Sequence, residues 1–436
     1  MYKSGFRKPL AAQSIRIMAD ASRTDSDDAP SPQAPRHGAV AFIFVTILLD
    51  MLAAGMIIPI LPKLIESFVG NDTARAARLF GLFATVWALM QFVFSPLLGS
   101  LSDRHGRRAV VLVSNFGLGA DYVLMALAPS LLWLFVGRVI SGMTSASIST
   151  AFAYVADVTP PERRAAVFGR IGAAFGAGFV LGPAMGGLLG NIDPRLPFWV
   201  AAALSFANFL YGLVILPESL PVTRRSAFRW RSANPLGALQ LLRSDRTLAS
   251  LSVVNFISQL SHVVLPSTFV LYATYRYGWD TRTIGLTLAM VGICAMVVQG
   301  GAVGLIVRSL GERGALILGL CSGAVGFLIF GAAPTGPLFT VGIPAMAVWG
   351  VAGAATQALT TQRVAADLQG QLQGATSSVQ SVAQLVGPSL FTLTFAYFIS
   401  ADAPAHLPGA PFLLASVLLV VALAVAARTL RAAKQT

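Results

Sequence analysis

Gly99-Ser100-Leu101-Ser102-Asp103-Arg104-His105-Gly106-Arg107-Arg108 is a short charged turn between two long apolar segments. A degenerate copy lies 205 residues later, as Gly304-Leu305-Ile306-Val307-Arg308-Ser309-Leu310-Gly311-Glu312-Arg313. Gly182-Pro183 and Gly387-Pro388 are separated by the same 205 residues. Two landmarks at one offset imply a duplicated membrane unit, an architecture shared by many transporter folds.

The segments around these landmarks agree with a membrane protein. The chain is 55% hydrophobic and 11% charged, whereas a soluble domain carries about 25% charged residues. A helix crossing a bilayer needs about 20 mostly apolar residues. Twelve such stretches are predicted, at 38–61, 79–101, 109–128, 130–156, 165–190, 196–217, 247–274, 283–307, 314–333, 337–361, 372–399 and 410–429. The expected fold is an all-α membrane protein, with twelve helices in two pseudo-symmetric six-helix bundles. Gly and Pro within the spans do not oppose this, because neighbouring helices can satisfy the freed backbone groups. The short alternating strands of a membrane β-barrel are not evident.

The net charge of +13 raises nucleic acid as a partner, but its distribution argues against one. With an even number of spans, both termini lie on one side. Of the 31 Lys and Arg, Lys63, Arg75, Arg78, Arg195, Arg276 and Arg282 fall on the opposite side and Arg138 inside a span. All the others share the side of the termini. Lys and Arg mark the cytoplasmic face, so both termini are expected in the cytoplasm of a multi-pass plasma membrane protein.

Residues 1–37 are polar and lack the apolar core of a cleavable signal; a disordered tail is expected. The expected domains are an N-terminal bundle over 38–217, a cytoplasmic linker over 218–246, a C-terminal bundle over 247–430, and a short tail over 431–436. The linker holds Arg224, Arg225, Arg229, Arg231, Arg243 and Arg246, and a short helix is predicted near 235–243. Its plainest reading is a tether that fixes topology; contact with acidic lipid is the alternative. Cys294 and Cys321, both within apolar spans, are the only cysteines. They exclude a disulfide scaffold, and ligands for a zinc site are missing.

Ionisable residues inside the spans are few. A charge in the membrane costs at least about 2.5–3.5 kcal/mol and usually faces a bundle interior or a wet cavity. The first six spans contain Asp50, Asp121 and Arg138, and the last six contain His262. At ~1.5 Å per helical residue, the three N-terminal charges fall at similar depth, ~18 Å from the cytoplasmic side. A desolvated carboxylate beside an Arg is a proton-carrier arrangement; a static ion pair between helices is the alternative. Asp50 plus the offset lands on Asn255, and Arg138 on Ile343. The first six spans are therefore expected to handle protons and the last six to shape a substrate cavity.

Each remaining motif has a structural and a functional reading. In the turn, Gly99 and Gly106 permit a tight connection. Arg104, Arg107 and Arg108 fix the cytoplasmic face, and Asp103 can accept from a helix N-terminus or from an Arg across the bundle. The turn reads as a gate element, not a binding site. Gly178, Gly182, Pro183, Gly186 and Gly187 let helices approach closely and introduce a bend; the functional reading is a flexed gate. Gln91, Gln259, Gln299 and Gln384 suit a cavity with apolar walls and a few hydrogen bonds. His262 is expected in hydrogen-bonded packing, with a proton-carrier role as the alternative. Phe92, Phe94, Phe269 and Tyr272 are expected in packing or lipid contact.

Gly99–Arg108 resembles the cytoplasmic signature of the major facilitator superfamily, and Arg138-Val139-Ile140-Ser141-Gly142 resembles its fourth-span motif. Gly178–Gly187 resembles the fifth-span motif of the drug:proton antiporters. Leu49-Asp50 with Pro59-Ile60-Leu61-Pro62 resembles their first-span motif. Ala88-Leu89-Met90-Gln91, Ala120-Asp121-Tyr122, Gly278-Trp279 and Leu372-Gln373-Gly374 are similar to tetracycline efflux proteins. The resemblance covers roughly 38–430. It implies twelve helices, alternating access and proton-driven export. It also implies that Asp50, Asp121 and Arg138 are coupling residues, Asp103 the loop acid and Gln91 a substrate contact. Two positions depart. Tetracycline efflux proteins carry an eighth-span His four residues before a Gln matching Gln299, where this chain has Ala295. They carry a ninth-span Asp where this chain has Gly323.

The expected function is a proton-coupled antiporter exporting small amphipathic molecules, tetracyclines first. The alternatives are a transporter of an unrelated metabolite and, further off, a membrane receptor or channel. No P-loop, metal cluster or nucleophile constellation points to an enzyme, and no cofactor is expected. The expected partners are a small amphipathic substrate, the proton and the lipid bilayer, with no nucleic acid, and the protein is expected to be a monomer.

Overall fold

The computed structural model describes residues 37–145, 147–225, 242, 245–365 and 368–432. The expected N-terminal tail and the helix expected near 235–243 lie outside these residues, apart from His37 and Leu242. Among the described residues the chain is helical, with no strand. The helices are α1 (His37–Ile57), α2 (Leu61–Phe68), α3 (Thr73–His105), α4 (Arg107–Leu127), α5 (Leu131–Thr144), α6 (Ser147–Val158), α7 (Pro161–Ile192) and α8 (Leu196–Ile215). They continue as α9 (Arg246–His262), α10 (Val264–Tyr277), α11 (Thr281–Val297), α12 (Val303–Ala332), α13 (Gly336–Val348), α14 (Gly350–Thr361), α15 (Gln369–Phe398) and α16 (Ala410–Ala432).

Ten helical runs among the described residues are long and apolar enough to cross a membrane. The twelve expected spans differ from these ten at two places. The stretches expected at 283–307 and 314–333 lie in one helical run, Thr281–Ala332, joined by a π-helical turn at Val298–Ala302. Gly311 interrupts that run with φ 68°. The stretch expected at 130–156 is divided near Ser145 into α5 and α6, each too short to span alone.

The offset found in the sequence recurs in the backbone. Gly106 has φ 103° and ψ 152°, and Gly311, 205 residues on, has φ 68° and ψ 170°. Both turns need a left-handed residue, which glycine adopts without a Cβ clash. The breaks repeat too. The α1/α2 break spans Ile58–Ile60, and α9 stops at His262, with Val263 before α10. α5 ends at Thr144, and Trp349 separates α13 from α14. Pro59 and Pro62 account for the first break. Pro266 accounts for the second, because its ring removes an N–H and crowds the carbonyl four residues back, that of His262.

Capping sets the ends opposite the Gly99–Arg108 turn. The Asp72 carboxylate accepts from the Arg75 N–H (2.9 Å) and opens α3. Asp280 accepts from the Thr283 N–H (2.9 Å) and opens α11. The hydroxyl and N–H of Thr283, with Lys63 and Arg282 nearby, hold the Asp280 carboxyl below its usual range.

Two long helix pairs join the early and late parts of the chain. α7 packs along α11, and α3 along α15. Both pairs are tight at the end bearing Asp72 and Asp280. A methyl added at Gly187 would lie 2.7 Å from the Thr281 carbonyl oxygen and 2.9 Å from Gly285 Cα. Thr85 and Ser389 share a 2.8 Å hydroxyl contact between α3 and α15. Lys63 Nζ donates to the Trp279 carbonyl at 3.1 Å. The pairs part toward the other end. A methyl at Gly176 would still lie 3.4 Å from Met296 Cε, but Gly172, Gly169, Gly300, Gly301, Gly304 and Gly99 have no such neighbour within 4 Å. A cleft therefore opens at the end bearing Gly99–Arg108.

Candidate functional site

Asp50 lies about two-thirds of the way along α1 and is 8% exposed. The Asn208 side-chain amide of α8 donates to its Oδ1 at 3.2 Å. Thr46, one turn earlier on α1, donates its hydroxyl to Asn208 Oδ1 at 3.0 Å. A fully buried Asn thus ties the Asp50 turn of α1 to α8.

Asp121 lies on α4 and is 1% exposed, and neither carboxylate oxygen has a hydrogen-bond partner among the described residues. It faces α5 at Gly137, where a methyl would lie 2.9 Å from Asp121 Oδ1. The smallest side chain leaves room for the carboxylate. The Arg138 guanidinium of α5 acts on Asp121 through its charge, and the Ser141 side chain of α5 is turned toward the carboxylate outside hydrogen-bond geometry. Arg138 sits over the Trp87 ring, 5.2 Å from its centroid, with Nε unpartnered. A guanidinium over an indole face is held by the ring quadrupole. Tyr122, buried at 4% exposure, feels the field of Asp50, Asp121 and Arg138 together. Asp121 and Arg138 thus form one electrostatic pair, without a salt bridge inside 4.0 Å, and Tyr122 beside them also feels Asp50. Arg138 is thus associated with Asp121, whereas Asp50 has its own partner in Asn208.

The expected glutamines are on different helices: Gln91 on α3, Gln259 on α9, Gln299 in the π-helical turn and Gln384 on α15. Gln299 is exposed and the other three half-buried. None makes a hydrogen bond to another described residue, so each amide is free to meet a ligand. Gly178, Gly182 and Gly186 lie on one face of α7. Added methyls would meet Met51, Gly55 and Met56 of α1. Gly187 and Pro183 meet α11 at Gly285. These small residues therefore seat α7 against two helices at once.

Arg107 is the hub of the charged turn. Its Nη1 lies 2.5 Å from Asp103 Oδ1 and donates to Ser102 Oγ at 2.6 Å. Its Nε donates to Asp157 Oδ2, at the end of α6, at 3.2 Å. Its backbone N–H donates to Glu218 Oε1 at 2.8 Å, capping α4 from the segment after α8. Arg108 Nη2 donates to the Leu213 carbonyl at 2.8 Å. Asp103 therefore takes its Arg from the same turn, not from across the bundle. Arg104 is exposed.

The sequence of the Major Facilitator Superfamily matches this chain over residues 43–388. The chain belongs to that superfamily. Among its curated relatives is the class C tetracycline resistance protein of Escherichia coli, 37% identical over 360 residues, covering 83% of this chain and 90% of the relative. The class B protein of Escherichia coli is 32% identical over 359 residues, covering 82% and 89%. Among solved structures, the human organic anion transporter MFSD10 (TETRAN) superposes with TM-score 0.66 at 24% identity, covering 90% of this chain and 100% of that one. That likeness carries the fold alone. The protein is thus a multi-pass membrane transporter of the superfamily and not an enzyme.

Membership gives meaning to groups the sequence reading passed over. Asn208, Asp157, Glu218, Trp87 and Trp349 all hold named residues of this major facilitator protein in place. Asp157 and Glu218 had a visible signal: acids are scarce at the Arg-rich end. Asn208 was visible as an amide in an apolar span. At Gly323 an added methyl would lie 2.7 Å from Trp349 Cγ and 2.8 Å from Leu419 Cδ1. The Trp349 indole fills the space a larger residue at 323 would need.

Proposed function

We propose that this chain is a proton-coupled antiporter that exports small amphipathic molecules, tetracycline-type drugs first, by alternating access. The single observation that carries the reading is Asp121. A carboxylate with both oxygens buried and unpartnered is costly to keep. Here it lies beside Arg138 in a chain whose relatives are tetracycline resistance proteins. A proton bound and released at such a group, with Asp50 as the second carboxylate, supplies the coupling. Twelve passes in two six-helix halves, 38–217 and 247–430, follow if α11 with α12 counts as two passes and α5 with α6 as one. The Lys and Arg distribution supports cytoplasmic termini, a cytoplasmic linker at 218–246 and a bacterial inner membrane setting. The cleft then opens to the cytoplasm, where an exporter loads. Gln91, Gln259, Gln299 and Gln384 are proposed substrate contacts and the Gly99–Arg108 turn a gate. The protein is proposed to act as a monomer in the bilayer.

The test is drug-susceptibility profiling of a sensitive bacterial host, joined to tetracycline uptake by everted membrane vesicles. Unaltered protein should raise tetracycline resistance and drive uptake under a proton gradient. Asp121→Asn should abolish uphill uptake and keep tetracycline exchange. Gradient-driven uptake by Asp121→Asn at the unaltered rate would refute the coupling role. No resistance to any amphipathic drug would refute export.

A further inference from the structure

His262 ends α9 at the break before α10. It was expected in hydrogen-bonded packing. In the structure it makes no hydrogen bond or ion pair with another described residue. Its one ring contact is with Trp349, at 5.5 Å between centroids and 41° between planes. Trp349 is itself fixed: its Nε1 donates to Ser258 Oγ at 3.1 Å, and Phe327 stands edge-on at 5.4 Å. Trp349 is 6% exposed, while the imidazole resting on it is exposed.

Exposure at this depth means lipid or the cleft, and helix geometry decides between them. Val253 is the exposed apolar residue of α9, at 47%. It lies nine residues before His262, two and a half turns at 3.6 residues per turn, and so on the opposite side of the helix. Asn255, Ser258 and Gln259 lie seven, four and three residues before His262, all within about 60° of it. Asn255 lines a cleft with Thr356 and Gln357 of α14 and Thr376 of α15. His262 therefore belongs to a polar stripe that faces α14 and α15 and turns away from lipid. Apart from Arg428 at the end of the last span, it is the only Asp, Glu, Lys, Arg or His among the described residues of the expected C-terminal spans. Its edge nitrogens are unengaged, and an indole holds the ring in place.

We propose that His262 is a substrate-contacting residue that selects oxygen-rich amphipathic molecules. It offers one ring N–H as donor and one ring nitrogen as acceptor, beside the free amides of Gln259 and Asn255. Carbonyl, enol and hydroxyl groups along one edge of a substrate match that set. The apolar remainder of the substrate meets the cavity wall. The proposal rests on the export reading above and adds which side chain of the C-terminal half reads the substrate.

The test uses the full chain in everted membrane vesicles at equal protein amounts, with tetracycline as the probe. Gradient-driven uptake and tetracycline exchange are both measured. His262→Ala should raise KM about three- to tenfold in both modes, the worth of one or two hydrogen bonds, with the maximal rate kept within about twofold. His262→Gln keeps a donor and an acceptor and should recover most of the affinity; it also decides the matter if the Ala variant is poorly inserted. An unchanged KM in His262→Ala would overturn the proposal. So would lost uphill uptake with normal exchange, which marks a proton carrier, and so would a lower rate in both variants at unchanged KM, which marks packing. No uptake by the unaltered protein would remove the tetracycline reading and this proposal together, a result distinct from all of these.

Discussion

Gly187→Ala tests whether the tight approach of α7 to α11 is a gate. The added methyl lies 2.7 Å from the Thr281 carbonyl oxygen and 2.9 Å from Gly285 Cα. Non-bonded carbons rest at about 3.5–4.0 Å, so the two helices must separate by roughly 0.6–1 Å or absorb the overlap. Overpacking of this kind costs about 1–3 kcal/mol. The helix-propensity gain of Ala over Gly, about 0.5–1 kcal/mol, is present whether the end is closed or open and drops out of that equilibrium. Taking about 1–2 kcal/mol, the closed state loses roughly five- to thirtyfold in population. The assay places a single cysteine at Ser389, which faces Thr85 across the closed end, with Cys294 and Cys321 replaced by Ser. The labelling rate with a membrane-impermeant thiol reagent is measured on purified protein. Gly187→Ala should speed labelling by about that factor. Gly99→Ala, whose methyl would meet nothing within 4 Å, should not. Equal labelling in the two variants would refute the gate.

Asp103→Asn removes the charge that Arg107 holds at 2.5 Å. The pair is partly exposed and worth about 0.2–1 kcal/mol, so maximal transport should fall severalfold while substrate KM stays within twofold; an unaltered rate at normal expression would leave the turn with topology alone. Asp280→Ala should cost about 1 kcal/mol, the usual worth of an N-cap, read as a lower thermal midpoint of purified protein. The folded Asp280 carboxyl titrates below its usual range. Its contribution is therefore complete at neutral pH, above the unfolded value, and is lost as pH falls through the folded one, so the midpoints of the two proteins should converge in acid.

The all-helical, multi-pass architecture was legible because a span must be long and apolar. Asp50, Asp121 and Arg138 were legible for the same energetic reason: a charge in an apolar span stands out because it is expensive. Their partners were not. Trp87 under Arg138 is one aromatic among many in apolar spans, and nothing local tells a ring that holds a guanidinium from one that packs. Two of the four helix breaks carry prolines, Pro59 with Pro62 and Pro266. The breaks at Ser145 and Trp349 carry none, so tertiary packing decides them, and the expected single span at 130–156 became two helices. His262 was visible as a lone histidine. Its orientation depended on Trp349, 87 residues away, which in turn occupies the space left open by Gly323.

The turn copy at Gly304–Arg313 read as a decayed motif, because its charges do not match those of Gly99–Arg108. The structure gives a different account. Gly106 and Gly311 share the left-handed backbone that the turn requires. The residue after each reaches the end of a later helix: Arg107 donates to Asp157, and Glu312 accepts from Gln362 at 2.7 and 2.9 Å. Asp157 and Gln362 are themselves 205 residues apart. Donor and acceptor have changed places, and the aspartate at 103 is matched by Arg308. What the turn needs is a polar side chain of the right length pointing at a fixed partner; which side donates is free. The first latch is charge on charge and weakens with salt. The second places a neutral amide against a carboxylate and has less to lose. Two latches at matched positions thus respond differently to ionic strength, with the Arg107 turn the softer of the two.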